Sequence, residues 1–169
     1  SPDGLIAVAG NGQIRNLIVN IPPRCLKSLI ASVFLAPWVW TRNPSDQFIY
    51  SSYGQTLVTR DSVRSRDVIA SDWYQRRYGA AYHLKDDQNV KVYYANDQQG
   101  YRMATTVAGA STGHGGDWLI TDDPINVMDA HSKAELTRVV NWYTTSFSNR
   151  ANNVATRRRL IVMQRVNEG

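Results

Sequence analysis

The stretch that decides the fold spans residues 17–28 and reads LIVNIPPRCLKS. It opens with an apolar, β-branched run of the kind found in buried strands and then passes through a Pro-Pro turn. Lys27 and Ser28 begin a long apolar segment, residues 27–40, which predicts a buried helix. A strand, a turn, a Lys-Ser pair and a helix in this order are typical of a phosphate-binding loop, where phosphate meets backbone N–H groups at the positive end of the helix.

The match to that loop is incomplete. The usual pattern is Gly, four residues, Gly, Lys and Ser or Thr, whereas Ile21 and Leu26 stand at the two glycine positions here. Pro22 and Pro23 also remove two N–H groups that could point at a phosphate. Residues 17–28 alone therefore leave two interpretations open, a phosphate site and a plain strand-to-helix turn with an exposed lysine.

Length and composition indicate one globular domain. The chain has 169 residues, of which 43% are hydrophobic and 20% charged, so it is long and apolar enough to bury a core and is not a disordered chain. No apolar run approaches the ~20 residues of a membrane span, and no signal peptide is evident. The single cysteine, Cys25, excludes an internal disulfide and a cysteine metal cluster, and suits a reducing cytoplasm. With no histidine near it in sequence, Cys25 is interpreted as a passive loop residue.

The charge is moderately positive. The formal net charge is +5, and fifteen of the nineteen basic residues are arginine, which binds phosphate and carboxylate groups through two parallel hydrogen bonds. A solvated basic surface and a polyanionic partner such as nucleic acid both remain open. The run Arg157, Arg158 and Arg159 is expected to be a solvated face, with DNA contact as the alternative.

Periodicity and turn residues predict alternating strands and helices. Pro37 is expected to kink or end the first helix, and residues 80–89 are expected to form a loop. The predicted strands cover residues 15–20, 47–52, 90–95, 101–106, 118–121 and 157–164. The predicted helices cover residues 27–40, 55–70, 72–78 and the segment after the capping box 132–135. This alternation predicts a three-layer α/β/α fold with a mostly parallel central sheet and an antiparallel hairpin.

A second polar element follows the strand at residues 118–121. Asp122 and Asp123 end this apolar strand as a pair of adjacent carboxylates. Beside a phosphate loop, the first would hold Mg²⁺ and the second would orient or deprotonate an attacking water. Gln164 ends the last strand, where a polar side chain can touch a terminal phosphate. A solvated turn and a strand-end surface residue are the respective alternatives.

Taken together, these motifs resemble the ATPase domain of the large terminase subunit of tailed bacteriophages, the motor that packages DNA. The segments that carry the resemblance are NIPPRCLKS (20–28), PS (44–45), SSY (51–53), SDWY (71–74), GYR (100–102), TGHG (112–115), LITDDP (119–124), NWY (141–143) and VMQR (162–165). The resemblance implies a P-loop NTPase of the additional-strand, RecA-like type that uses ATP and Mg²⁺ and acts on double-stranded DNA.

The resemblance also implies roles for individual residues. The nucleotide-binding loop comprises Pro23, Arg24, Cys25, Leu26, Lys27 and Ser28. Ser28 and Asp122 are implied as Mg²⁺ ligands and Asp123 as the catalytic acid. Arg24 is implied to stabilise transferred charge, and Gln164 to couple hydrolysis to movement. One departure is His114, which stands where relatives often have an arginine that could act on a neighbouring subunit.

The resemblance further implies partners and a setting. These are the portal protein, the small terminase subunit and a ring of identical subunits, without a membrane, in the cytoplasm of the bacterial host. Residues 1–169 are expected to form one ATPase domain that lacks the terminase nuclease domain, with weak activity alone. A nucleotide- or DNA-binding module without turnover and a helicase-like ATPase are the alternatives.

The additional-strand type and right-handed crossovers predict a strand order as well. The expected order is 47–52, 118–121, 159–163 and 15–20, with the hairpin of residues 90–106 near an edge.

Overall fold

The computed structural model describes residues 14–109 and 113–164. The strands are β1 (Asn16–Asn20), β2 (Gln47–Ser52), β3 (Leu84–Val90), β4 (Tyr93–Asn96), β5 (Tyr101–Thr106), β6 (Trp118–Asp122) and β7 (Arg158–Met163). The helices are α1 (π-helical over Leu29–Phe34, α-helical over Leu35–Trp40), α2 (Gln55–Ala70), α3 (Asp72–Tyr78) and α4 (Lys133–Trp142, continued by the π-helical turn Tyr143–Phe147). Two short 3-10 turns cover Val127–Asp129 and Ser148–Arg150.

All seven strands belong to one sheet in the order β1-β7-β6-β2-β5-β4-β3. Strands β1, β7, β6, β2 and β5 run parallel to one another, whereas β4 pairs antiparallel with both β5 and β3. In the parallel part, Leu160 lies between Leu17 on one side and Ile120 on the other. The predicted order of 47–52, 118–121, 159–163 and 15–20 is therefore confirmed, with β7 between β1 and β6.

Alternate residues along the strands cover two faces of the sheet with apolar side chains. Phe48 and Trp118 stack at 5.6 Å on one face, where α1 packs against them through Trp40. Ile49 and Leu119 point to the other face and pack against Phe147 of the turn after α4. Burial on both faces explains why these strands are nearly continuous apolar runs, and it gives the sheet a helical layer on each side.

One local prediction is wrong in part. Residues 80–83 form a turn and a short loop, but residues 84–89 are not a loop, because β3 extends over Leu84–Val90 and pairs with β4 at the far edge of the sheet. Its acidic and amide side chains lack the apolar alternation of a half-buried strand, and the pairing is irregular between Leu84 and Asn89. The predicted hairpin is confirmed, because β4 pairs antiparallel with β5 and β5 attaches this pair to the parallel sheet beside β2.

Helix α1 does not end at Pro37, which lies inside its α-helical part. The change from π-helical to α-helical geometry occurs just before this proline, between Phe34 and Leu35. A π-helical stretch is a known adjustment inside α-helices and is frequent at functional sites. In the described ranges, no helix has the length and apolarity that crossing a bilayer would require.

The structure confirms the predicted serine caps at the starts of α3 and α4. The Ser71 hydroxyl accepts a hydrogen bond from the N–H of Tyr74, and the Ser132 hydroxyl accepts one from the N–H of Glu135. The second half of the predicted capping box is replaced, because the Glu135 carboxylate accepts hydrogen bonds from Arg138 at 2.8 and 2.9 Å. The helix starts are thus set by single serine caps.

Candidate functional site

The loop of residues 21–28 lies at the carboxyl edge of the sheet, because it follows the last residue of β1. Its backbone is left-handed at two non-glycine residues, Arg24 (φ 66°) and Leu26 (φ 58°). Leu26 stands at the second glycine position of the usual phosphate-loop pattern, so the backbone has the conformation that glycine favours although the residue is leucine. A left-handed non-glycine residue costs of order 1–3 kcal/mol, and such strain concentrates at active sites and ligand clamps.

Lys27 and Asp123 meet across this edge. The Lys27 Nζ lies 3.4 Å from Asp123 Oδ2, and the lysine side chain is only 8% exposed. The backbone of Asp123 is fixed from two sides, because its N–H donates to the carbonyl of Val162 at 2.8 Å and its carbonyl accepts from the N–H of Tyr53 at 3.1 Å. With its φ of 44°, Asp123 turns the chain out of β6 just beyond the strand end.

Asp122 is a buried acid of the site. Its Oδ2 accepts a hydrogen bond from the Ser32 hydroxyl at 2.8 Å. Ser28 lines the same cavity and lies close enough to this carboxyl to lower its pKa. The pKa of Asp122 is raised to about 6, chiefly by burial; the interactions with Ser32 and Ser28 lower it, and the carboxylates of Asp123 and Asp61 contribute to the rise. The predicted close approach of Ser28 and Asp122 is confirmed.

A cavity of about 90 Å³ opens between these residues and the start of α2. The residues that line it are Ser28, Ser32, Tyr50, Ser51, Ser52, Leu57, Val58, Arg60, Asp61, Arg102, Asp122 and Asp123. In the part of the chain that the structure describes, seven buried side-chain N or O atoms lack a hydrogen-bond partner, and five of them belong to residues of this cavity. Because unpaired buried polar atoms are rare in folded proteins, this concentration makes the cavity the candidate site.

Arg102 is a buried residue that lines the cavity. It is fully buried, and its Nη2 donates a hydrogen bond to the carbonyl of Ser32 at 3.0 Å. Its guanidinium lies 4.0 Å from the ring centre of Tyr50, while its Nε and Nη1 have no partner. No ion pair joins Arg102 to a carboxylate among the described residues. The Tyr50 ring and the Ser32 carbonyl are instead in contact with its guanidinium.

The other predicted site residues lie nearby but outside the cavity. Arg24 and Cys25 are exposed on the loop, and neither lines the cavity. Gln164 is half-buried and directly follows β7, between the strands that lead to Lys27 and to Asp122. Thr112 and Arg165 of the matched motifs lie outside the described residues.

His114 and the arginine run lie at the opposite, amino edge of the sheet. The His114 ring contacts the rings of Tyr93 and Tyr101 at 5.6 and 5.8 Å, beside the start of β5, so it is not part of the cavity of its own chain. Arg158 approaches Asp46 at 3.7 Å, and Arg159 donates to the Asn16 side chain at 2.7 Å. Two of the three arginines therefore have intramolecular partners, contrary to a simple solvated face.

Sequence reasoning gave Ser32, Arg60 and Asp61 no role, and it included Arg102 only in the matched segment GYR (100–102), without a place in the site. Ser32 lies one helical turn after Ser28, so an i, i+4 search on α1 would have found it. In α2 the buried positions include Asp61, Ser62 and Ser65 at helical spacing, a polar stripe where a core helix carries apolar residues. The burial of Arg102 gave no local signal.

The donor set limits how a metal could be held. In residues 14–109 and 113–164, no group of three or more His, Cys, Asp or Glu side chains is placed to hold a metal ion. Ser28 and Asp122 nevertheless fit Mg²⁺, which commonly takes one or two protein oxygens and completes its shell with phosphates and water. The unpaired Asp122 Oδ1 is an oxygen available for it. Neither the protein-family models nor the curated proteins compared with this chain give a match.

Proposed function

We propose that the carboxyl edge of the sheet binds a nucleoside triphosphate, ATP, and hydrolyses it, as a P-loop site of the additional-strand, RecA-like type does. The observation that carries the proposal is the meeting of Lys27 with Asp123 and of Ser28 with Asp122. These pairs come from sequence segments about 95 residues apart, and the strand order brings them together with β7 in between. A lysine, a hydroxyl and two carboxylates at one strand edge are the groups that phosphoryl transfer requires.

The roles follow from chemistry and burial. Lys27 contacts the outer phosphates, and phosphate oxygens compete with Asp123 for its charge, which frees Asp123 to orient and deprotonate a water. Ser28 and Asp122 hold Mg²⁺, which when bound neutralises charge on the phosphates. Arg24, exposed on the loop, stabilises transferred charge, and Gln164 at the end of β7 couples the phosphate state to movement.

We propose further that this ATPase drives translocation of double-stranded DNA, as the ATPase domain of a phage large terminase subunit does. The support is the ordered set of motifs from residue 20 to residue 165 together with the positive net charge. Under this proposal the subunits form a ring and work with a portal protein and a small terminase subunit, and duplex DNA stimulates hydrolysis.

A nucleotide-binding module without turnover is the second candidate. It is favoured by the leucine at the strained position 26 and by the ion pair that ties up Asp123. A titration with ATP in the presence and absence of Mg²⁺, combined with phosphate release with and without duplex DNA, separates the two. Mg²⁺-dependent binding with DNA-stimulated phosphate release supports the ATPase, binding alone supports the second candidate, and no binding contradicts both.

A further inference from the structure

Arg60 is an arginine of α2 that sequence reasoning assigned to no site. Its Nε donates to Asp61 Oδ1 at 2.8 Å and its Nη2 donates to Asp61 Oδ2 at 3.1 Å, so two parallel hydrogen bonds fix the plane of the guanidinium. The Asp61 side chain is 8% exposed, whereas that of Arg60 is 46% exposed. The pair therefore consists of a buried acid that anchors an accessible cation.

Arg60 and Asp61 both line the cavity of Ser28, Asp122 and Asp123. The pKa of Arg60 is raised chiefly by its hydrogen bonds to Asp61 and also by the charge of Asp122, which places the guanidinium within electrostatic reach of the buried acid. The two bonds to Asp61 occupy Nε and Nη2, and Nη1 makes no hydrogen bond to any described residue. Arg60 thus brings an oriented donor to the rim of the cavity.

A purely structural role would also explain part of this geometry, because a buried carboxylate needs a counter-charge. Arg64, one turn further along α2, also approaches Asp61 at 4.0 Å and is 57% exposed. Its side chain lines a separate apolar groove and not the cavity. The two arginines share helix, charge and acidic neighbour but differ in whether they face the cavity, so they form a matched pair for an experiment.

We propose that Arg60 is a contact of the terminal phosphate of the nucleotide within the same chain, with Asp61 as its positioning residue. This inference rests on the proposed function and adds to it a second cation, on a different element from Lys27. A planar guanidinium fixed by a buried acid presents its free N–H groups to phosphate oxygens without rearranging. Charge on these oxygens is present in a triphosphate at this position and absent in a diphosphate, so Arg60 discriminates between the two.

The test measures the affinities of the full chain for ADP and for a non-hydrolysable ATP analogue in Mg²⁺, together with phosphate release from ATP. Arg60→Gln removes the charge but keeps an amide that can bond to Asp61, and Arg60→Ala is the second variant. Both are expected to lower analogue affinity about 10-fold while leaving ADP affinity within about 2-fold, because one charged contact is lost. Turnover is expected to fall about 10²-fold or more. Arg64→Ala is expected to match the parent, and Asp61→Asn to lie between.

The outcomes separate the two proposals. A parent chain that binds neither nucleotide overturns the proposed function and this inference with it. A parent that binds both, with Arg60→Gln and Arg64→Ala indistinguishable in analogue affinity and turnover, overturns only the role of Arg60. Equal losses of ADP and analogue affinity in Arg60→Gln also overturn it, since they indicate a general structural role. Thermal unfolding of each variant identifies folded material, and Arg60→Gln decides if Arg60→Ala does not fold.

Discussion

The two edges of the parallel sheet are both rich in polar side chains, but they differ in how many of the buried polar atoms have a partner. At the amino edge, Asp46 accepts a hydrogen bond from the Trp118 indole at 2.8 Å and pairs with Arg158 at 3.7 Å, and that guanidinium lies 4.9 Å from the Trp118 ring centre. Among the described residues of this edge, only the Nε of Arg158 is buried without a hydrogen-bond partner. At the carboxyl edge, oxygens of Asp122 and nitrogens of Arg102 are buried without partners.

We interpret the paired polar groups of the amino edge as structural and the unpaired ones of the carboxyl edge as parts of the proposed site. Each unpaired buried polar group costs roughly 1–3 kcal/mol, so a set of them at one edge lowers the stability of the domain. Such groups persist where a ligand or ion supplies the missing partners. Substitutions at the amino edge should therefore reduce stability and leave the ligand chemistry intact. Substitutions at the carboxyl edge should impair the ligand chemistry and preserve or raise stability.

The largest effect is expected from Lys27→Ala. Lys27 contacts phosphates before and after transfer in the proposed site, so both nucleotide affinity and turnover should fall, with kcat/KM reduced about 10³-fold. Phosphate release and a binding titration measure the two separately. Lys133→Ala, at the start of α4, is the matched control and should match the parent. A Lys27→Ala variant with parental affinity would place the phosphates elsewhere.

Asp46→Ala tests the amino edge. The substitution leaves the Trp118 indole N–H and the Arg158 guanidinium without the oxygen they share, and both side chains are largely buried. The free energy of unfolding should fall by about 3 kcal/mol, the scale for breaking a buried pair. Chemical denaturation measures the loss, and a nucleotide titration of the folded fraction should be unchanged. Stability near that of the parent would mean that this network carries little energy.

Asp123→Asn should separate binding from chemistry. The amide keeps the shape of the side chain but cannot accept a proton from water, so turnover should fall about 10²-fold while nucleotide affinity is retained or raised. Affinity can rise because Lys27 is released from its 3.4 Å ion pair. Single-turnover phosphate release measures the rate of hydrolysis, and a parallel titration measures the nucleotide affinity. Parental turnover in this variant would assign the base to another residue.

Local sequence predicted the strand, the loop and the helix around Lys27, and the acids after β6, because each depends on a few adjacent residues. The strand order followed from crossover handedness and from the resemblance to terminases. Strand β3 was missed because its polar side chains show no apolar alternation, and only pairing with β4 defines it. The burial of Arg102 could not be predicted because it depends on β5 lying beside β2, a contact between distant parts of the chain.

The smallest effect is expected from Asp122→Asn, and it depends on pH. Burial raises the pKa of Asp122 from 3.8 to about 6, so the folded state binds its proton more tightly than the unfolded state does. The parent therefore loses stability as pH rises from about 4 through 6, because ionised Asp122 is disfavoured in the fold. Asparagine does not titrate, so in Mg²⁺-free buffer the stability of the variant should rise relative to that of the parent over this pH interval.

Mg²⁺ should make the parent more stable than the Asp122→Asn variant. A cation bound by Ser28 and Asp122 compensates the buried charge in the parent and raises its unfolding temperature, whereas the variant has lost the carboxylate and should respond weakly. Thermal unfolding from pH 4 to pH 8, with and without Mg²⁺, measures both effects. The matched control is Asp117→Asn at the amino edge, where the carboxylate accepts the Gln47 N–H at 2.9 Å. A pH-independent difference between Asp122→Asn and the parent, with equal responses to Mg²⁺, would show that the carboxyl edge tolerates its buried acid for a reason other than a cation.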